Sequence, residues 1–325
     1  MERIIRRRLL GLLPLLAGLA LLSFLLLQIA PGDVLSDLRL NPQVSEETLA
    51  DLRRKYGLDR PWYVQFGRWL WGIVRGDFGH SFLYNRPAGE LVGERAFNTI
   101  ALAAGALGMT VAAAAPAGAL AARYRAIERA GAALSTIALS VPSLLLAIMA
   151  MQFAAKTSWF PIGGVSSLEY ESLTAAGKAA DYLHHLVLPA LTLALRQLPG
   201  WFRNLHTGMR EALAEDFILA ARAKGLPEAS VLFKHALRNA LNPLITMFGS
   251  SMGSLLSGAF VIEVVMSWPG IGSLAVSSLL NRDLYVLMAC LMYAAILMAL
   301  GNLLADLLLL LADPRLRRGE TTGGA

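Results

Sequence analysis

Six apolar runs divide the chain, and each is long enough to cross the roughly 30 Å of hydrocarbon in a membrane. They lie near Leu9–Ala30, Asn98–Ala122, Ala130–Ala155, Leu186–Phe202, Leu241–Met266 and Leu284–Ala312. A basic stretch precedes the first run, as in a signal peptide, but the run is too long and lacks a small-x-small cleavage site. The pattern predicts an all-α, polytopic membrane protein with six transmembrane helices, the first of them uncleaved.

Basic residues alternate between the loops and predict the orientation of the spans. The two segments 158–185 and 267–283 are poor in bases, with only Lys178 and Arg282. The rich segments are the N-terminus (Arg3, Arg6, Arg7, Arg8), the turn after the second run (Arg123, Arg125, Arg129), the loop after the fourth (Arg203, Arg210, Arg222, Lys224, Lys234, Arg238) and the C-terminus (Arg315, Arg317, Arg318). Because bases accumulate in cytoplasmic loops, both termini are expected to be cytoplasmic.

The first outer segment, residues 31–97, has the pattern of two short helices. Pro42 is expected to start the first helix and Gly57 to end it, and Pro61 is expected to start the second. In the second helix the apolar residues share one face: Trp62, Phe66, Trp69, Leu70 and Ile73. A face rich in Trp favours packing at the membrane boundary or on the helical bundle over contact with a substrate.

Composition supports a membrane protein and narrows its chemistry. Hydrophobic residues make up 56% of the 325 residues and charged residues 16%, whereas a soluble domain has about 25% charged residues. The net charge of +6 is expected in cytoplasmic loops, so it does not indicate nucleic-acid binding. The single cysteine, Cys290, excludes an intramolecular disulfide and a cysteine metal site.

The stretch Phe202–Leu241 is too polar to span a membrane and is strongly patterned. Glu211–Lys224 is rich in Ala and Leu, with acids early and bases late, which predicts a helix that matches its own dipole. Gly225 is expected to supply a left-handed cap, and Pro227 to occupy the first position of a second helix that runs to Leu241. Near the corner, the second helix is expected to present Val231, Leu232 and Phe233.

Two short helices at an angle would form a knob with an apolar tip and a basic rim. Such a knob suits insertion into a groove on a soluble partner. An ordinary amphipathic cytoplasmic hairpin fits the same residues equally well, and the pattern alone does not distinguish the two.

Two motifs in this stretch resemble the EAA loop of ABC importer permeases. The version is that of the dipeptide, oligopeptide and nickel permease family (DppB/OppB type). The motifs are Ala220-Ala221-Arg222-Ala223-Lys224-Gly225-Leu226 and His235-Ala236-Leu237-Arg238-Asn239-Ala240-Leu241-Asn242-Pro243. The resemblance covers nearly the whole chain, since further stretches match in order: Arg7–Leu10, Ile29–Asp33, Tyr56–Pro61, Gly76–Gly79, Leu188–Leu191 and Ser267–Gly272.

The resemblance implies a type I ABC importer permease (MetI-like) fold, in which this loop docks on a cytoplasmic ATPase. The loop residues that it assigns to ATPase coupling are Ala220, Ala221, Arg222, Lys224, Gly225, Leu226 and Phe233. One position departs from the general motif, because Leu219 stands where glutamate is usual. Any acidic role in the motif would then pass to Glu215 or Asp216.

The same resemblance implies the remaining parts of the machine. Residues 1–97 would form the first transmembrane helix and an extracytoplasmic segment, 98–312 a five-helix core with the coupling loop 203–240, and 313–325 a cytoplasmic tail. The expected partners are a second, homologous permease in a heterodimer, two cytoplasmic ATPases that use ATP and Mg²⁺, and an extracytoplasmic solute-binding protein. The complex would import peptides across a bacterial inner membrane by alternating access.

Three ionisable residues fall inside the predicted spans, where charges are costly and mark functional candidates: Arg196, Glu263 and Asp306. Arg196 is hypothesised to face the translocation path and accept a substrate carboxylate. A hydrogen bond to backbone carbonyls inside the bundle is its alternative role. Glu263 is hypothesised to brace the outer gate, whereas Asp306, near a span end, is expected to be structural.

The phosphate-binding and zinc-protease motifs are missing from the sequence. It contains neither G-x-x-x-x-G-K-[ST] nor H-E-x-x-H, so no cofactor or catalytic site of its own is expected. His184 and His185 are adjacent and would point apart on a helix, so a joint metal site is not expected. The alternatives are the same machine for nickel or another small solute, and a secondary transporter driven by an ion gradient. An enzyme embedded in the membrane is disfavoured.

Overall fold

The computed structural model describes residues 2–29, 45–57, 59–81 and 83–312, and most of these residues are helical. Within them the only β-type contact is a bridge between His80 and Pro87. In chain order the helices are α1 (Glu2–Ile29), α2 (Glu46–Tyr56), α3 (Trp62–Val74), α4 (Ala88–Arg123), α5 (Arg125–Ser140), α6 (Ser143–Thr157), a 3-10 helix (Tyr170–Ser172), α7 (Ala175–Leu213), α8 (Asp216–Ala223), α9 (Glu228–Ser230), a π-helix (Val231–Ala236), α10 (Leu237–Ala240), α11 (Asn242–Val265), α12 (Ile271–Leu280) and α13 (Leu284–Ala312).

Three described helices are long and apolar enough to cross a membrane: Ala88–Arg123, Met247–Val265 and Leu284–Leu308. They correspond to the second, fifth and sixth predicted runs. The described part has four such elements if α5 and α6 count as one broken span, and shorter apolar helices at Pro14–Leu25 and Ile271–Leu280. The total of six spans therefore stays a prediction for the first and fourth runs.

The third predicted run is not one continuous helix. Helices α5 and α6 meet at 101°. Pro142 causes the break, since its ring has no N–H to donate and disfavours the helical conformation for the residue before it. Val141 is accordingly extended, with φ −92° and ψ 123°.

One compact unit contains residues 2–5, 99–268 and 298–312 of the described chain. Its centre is α7, which packs against α5, α6, α10 and α11. Small residues allow the close approach that helix packing in lipid requires. A Cβ at Gly131 would clash with the ring of Phe202, and a Cβ at Gly301 would lie 2.5 Å from Cγ of Met252.

A second compact unit contains the described residues among 6–98, together with 269–297. Trp69 is buried in its core, with Phe66, Leu70 and Ile73 packed around it. The predicted apolar face of α3 is thus confirmed, except that Trp62 is exposed. Pro61 precedes α3, and Gly57 follows α2 with φ +69°, as predicted. Pro42, the stretch from Ala30 to Asp33 and the tail 313–325 lie outside the described residues.

Candidate functional site

The single helix predicted over Glu211–Lys224 is wrong, because the chain breaks at Ala214 and Glu215. Helix α7 ends at Leu213, and Glu215 is extended (φ −76°, ψ 150°) before α8 begins. The break redirects the chain so that Ile218 and Ala221 are buried in the same core as Met209. A sequence pattern of good helix formers cannot reveal such a break, since tertiary packing overrides propensity.

The corner after α8 is a Schellman motif. Gly225 has φ +73°, its N–H donates to the carbonyl of Arg222 at 2.9 Å, and the N–H of Leu226 donates to the carbonyl of Ala221 at 3.4 Å. These two bonds satisfy helix-end carbonyls that would otherwise lack donors. The predicted left-handed cap at Gly225 is confirmed.

After the corner, the chain forms three short helical pieces in place of one α-helix. Pro227 is the N-cap (φ −63°, ψ 143°), so the helix starts one residue later than predicted, at Glu228. Residues Val231–Ala236 are π-helical, a geometry that inserts an extra residue and is frequent at functional sites.

The predicted apolar tip is only partly present. Val231 and Leu232 are buried in the core, whereas Phe233 is 43% exposed. Other exposed apolar side chains join it along the segment 203–240: Phe217, Leu219 and Leu226. The surface around them includes the exposed residues Ala220, Arg222, Lys224 and Gly225, while Ala221 is buried. All the candidate coupling residues except Ala221 are therefore exposed.

An ion pair across the corner escaped the sequence reasoning. Arg222 donates from Nη2 to Oε1 of Glu228 at 2.8 Å and from Nε to Oε2 at 3.4 Å. Both side chains are about two-fifths exposed, so a contribution of about 0.2–1 kcal/mol is expected. The signal that could have revealed it is an opposite charge six residues on, across the Gly-Leu-Pro turn.

Glu263 is fully buried in the last turns of α11. Its Oε1 accepts a hydrogen bond of 2.6 Å from Oγ1 of Thr99 on α4. Just beyond it the helix ends, with Ser267 in a left-handed conformation (φ +53°) and the N–H of Trp268 donating to the carbonyl of Glu263 at 2.9 Å. The carboxylate therefore links α4 to the end of α11.

Arg196 lies on α7 and its side chain is exposed. Within the described part of the chain, it has neither an ion pair nor a hydrogen bond. The next residue, Gln197, donates from Nε2 to Oγ of Ser254 at 3.0 Å and so links α7 to α11. The side chain of Arg196 thus lies at the surface of the single chain, whereas Glu263 is buried.

The two neighbouring histidines make separate contacts. His184 Nε2 lies 2.9 Å from the carbonyl of Trp159, and His185 Nδ1 lies 2.8 Å from the carbonyl of Asp181. The backbone N–H of Ser167 donates to Asp181 Oδ2 at 2.9 Å, and this bond lowers the pKa of that carboxyl. The contacts of His184 and Asp181 fix the loop before α7 to that helix. The described residues contain no cluster suited to a metal ion.

Two family descriptions match the chain. Residues 114–318 match the binding-protein-dependent transport system inner membrane component, and residues 1–103 match the N-terminal part of the same kind of component. The chain is 39% identical to the oligopeptide transport system permease protein AppB of Bacillus subtilis, over 96% of this chain and 98% of the relative. It is 36% identical to a putative peptide transport system permease protein of Brucella abortus (98% and 99%), and 34% identical to the glutathione transport system permease protein GsiC of Salmonella paratyphi A (96% and 97%).

Proposed function

The chain belongs to the family of binding-protein-dependent transport system inner membrane components, and from this premise we propose that it is the permease subunit of an ABC importer for peptides. The observation that carries the proposal is the full-length similarity to permeases of oligopeptide, peptide and glutathione systems. The subunit is a non-catalytic membrane component. It provides a path through the membrane, and the energy comes from elsewhere.

The segment 203–240 is the element through which that energy enters. Separate ATPase subunits bind ATP and Mg²⁺ and move against its exposed apolar residues Leu219, Leu226 and Phe233. A coupling element must transmit force without collapsing. The Schellman corner, the Arg222–Glu228 ion pair and the buried anchors beneath it give the segment that rigidity.

Transport proceeds by alternating access, and the opening of the path is tied to the ends of the core helices. Glu263 braces the end of α11 on α4 through Thr99, so a shift of either helix must stretch or break this hydrogen bond. Arg196, exposed on the surface of the single chain, faces the path and accepts the carboxylate of a peptide.

The full importer contains a second, homologous permease, two ATPases and an extracytoplasmic binding protein that delivers the peptide. The assembly lies in a bacterial inner membrane, and both termini of this chain are in the cytoplasm. Selectivity rests largely with the binding protein, so nickel or another small solute is the alternative cargo.

Reconstitution tests the proposal. The chain, its second permease and the ATPases are placed in proteoliposomes, and uptake of a labelled di- or oligopeptide is followed after adding binding protein. We expect uptake only when ATP is present on the side of the membrane that carries the ATPases and binding protein is present on the opposite side. Uptake by this chain alone, driven by a proton or sodium gradient, would instead establish a secondary transporter.

A further inference from the structure

A cavity of about 380 Å³ opens in the second compact unit. It lies between α3 and the turn that follows it, and the volume is within the usual range for small-molecule sites. Polar and aromatic side chains share its lining: Arg68, Asp77 and His80 with Phe24, Trp69 and Tyr285. None of these residues has a part in the proposed coupling or transport path.

Glycine shapes this cavity at two close approaches. A Cβ at Gly72 would lie 2.8 Å from the carbonyl oxygen of Asp77, and a Cβ at Gly79, which has φ +97°, would lie 2.6 Å from the ring of Tyr285. The turn between them is held by hydrogen bonds of 2.9 Å from Asp77 N to the carbonyl of Gly72 and from Gly79 N to Asp77 Oδ1. The cavity is therefore a defined feature of the turn.

The charges in the cavity are complementary to a zwitterion. In the described part of the chain, the guanidinium of Arg68 makes no ion pair or hydrogen bond, with Asp77 or with any other residue. Asp77 uses Oδ1 for its own turn, which leaves Oδ2 for a ligand. One cation and one anion that do not neutralise each other match a ligand that carries an anion and a cation of its own.

The surroundings indicate a lipid as the source of that ligand. Helix α3, which lines the cavity with other residues, also exposes large aromatic side chains: Trp62, Tyr63 and Trp71. Exposed Trp and Tyr mark the membrane–water boundary, where headgroups lie. The cavity also reaches Phe24 at the end of the apolar stretch Pro14–Leu25 of α1, whose exposed leucines suit contact with acyl chains.

We propose that this cavity binds the headgroup of a zwitterionic phospholipid with a primary amine, such as phosphatidylethanolamine. The phosphate binds Arg68, which presents several N–H donors to its oxygens, and the ammonium donates to Oδ2 of Asp77. A choline headgroup carries no N–H on its nitrogen, so it loses the second contact.

Lipid retention by the assembled permease complex tests this site. The complex is placed in nanodiscs of phosphatidylglycerol with either phosphatidylethanolamine or phosphatidylcholine, re-extracted, and its bound lipid quantified by native mass spectrometry. We expect selective retention of phosphatidylethanolamine, weakened about tenfold by Arg68→Gln and by Asp77→Asn, the size of one lost charge-assisted contact. Asp77→Asn keeps an oxygen acceptor for the Gly79 N–H, so the turn is preserved.

Arg75→Gln is the matched control. Arg75 ends α3 but stacks on Trp71, 4.8 Å from its ring, and does not line the cavity, so retention should be unchanged. Displacement of the lipid by millimolar inorganic phosphate would overturn the proposal in favour of a free-anion site. Displacement by dialanine would overturn it in favour of a peptide site. Equal retention by wild type, Arg68→Gln and Asp77→Asn would show that the cavity holds no lipid.

Discussion

Replacing Gly225 separates backbone strain from loss of space at the corner. A Cβ at Gly225 would meet no atom within 4 Å, so alanine fits without a clash. The backbone, however, has φ +73°, where an L-residue with a Cβ costs about 1–2 kcal/mol. We expect Gly225→Ala to destabilise the corner by that amount and to reduce peptide imported per ATP hydrolysed, while the complex still assembles.

Two further substitutions grade the same effect. Gly225→Asn should cost less than Gly225→Ala, because asparagine tolerates the left-handed region. Gly225→Pro should cost most, about 3 kcal/mol or more, because proline fixes φ near −65° and removes the N–H that donates to Arg222. Purified complexes in proteoliposomes give uptake and ATPase rates, and thermal unfolding gives stability. If alanine and asparagine behave alike, or if proline has no effect, the strain argument is wrong.

The remaining predictions concern contacts elsewhere in the first compact unit. Thr99→Val should destabilise the solubilised complex by about 1.5–3 kcal/mol, because it removes a buried hydrogen-bond donor to Glu263. Its melting temperature should therefore fall, whereas that of Thr99→Ser, which keeps the hydroxyl, should not. Equal melting temperatures for the two variants would contradict this. A double-mutant cycle of Arg222→Gln and Glu228→Gln should give a coupling energy of about 0.2–1 kcal/mol that shrinks in high salt; a salt-independent value would argue against an ion pair. Gly131→Leu should prevent close packing on the ring of Phe202 and lower the yield of folded protein in membranes. An unchanged yield would show that this contact is dispensable.

Features set by one or two residues were predictable from the sequence. The conformation of Gly225 and the end of α2 at Gly57 follow from the tolerance of glycine for positive φ. The spans at Ala88–Arg123, Met247–Val265 and Leu284–Leu308 follow from hydropathy alone. The all-helical class follows from the same apolar runs.

Features that depend on packing were not predictable. The apolar run around Pro142 fits a continuous helix as well as a helix that turns by 101° there. Proline is also tolerated inside membrane helices, so its presence alone does not predict the break. Val231 and Leu232 look like a tip in the sequence, but the π-helical turn and the break at Glu215 direct them into the core. At Glu215, helix propensity favours one long helix, whereas burial of Ile218 favours the break.

The two charged candidates inside the predicted spans differ in burial. Arg196 and Glu263 have similar hydropathy penalties in the sequence, yet one is exposed and the other fully buried. Burial of Glu263 makes its hydrogen bond to Thr99 structurally significant, whereas exposure of Arg196 leaves it accessible. The sequence alone gives no depth for either side chain.

Site-specific cross-linking tests the central claim that the segment 203–240 receives the motion of the ATPase. The only native cysteine, Cys290, is buried, so a new cysteine can be labelled selectively. Leu226→Cys, at the exposed corner, is treated with a thiol-to-amine cross-linker in the assembled complex, beside Leu168→Cys, which is fully exposed on the predicted outer side. We predict a cross-link from Leu226→Cys to the ATPase, with loss of ATP-driven uptake, and none from Leu168→Cys. An ATPase cross-link from Leu168→Cys, or none from Leu226→Cys in active complexes, would contradict the account.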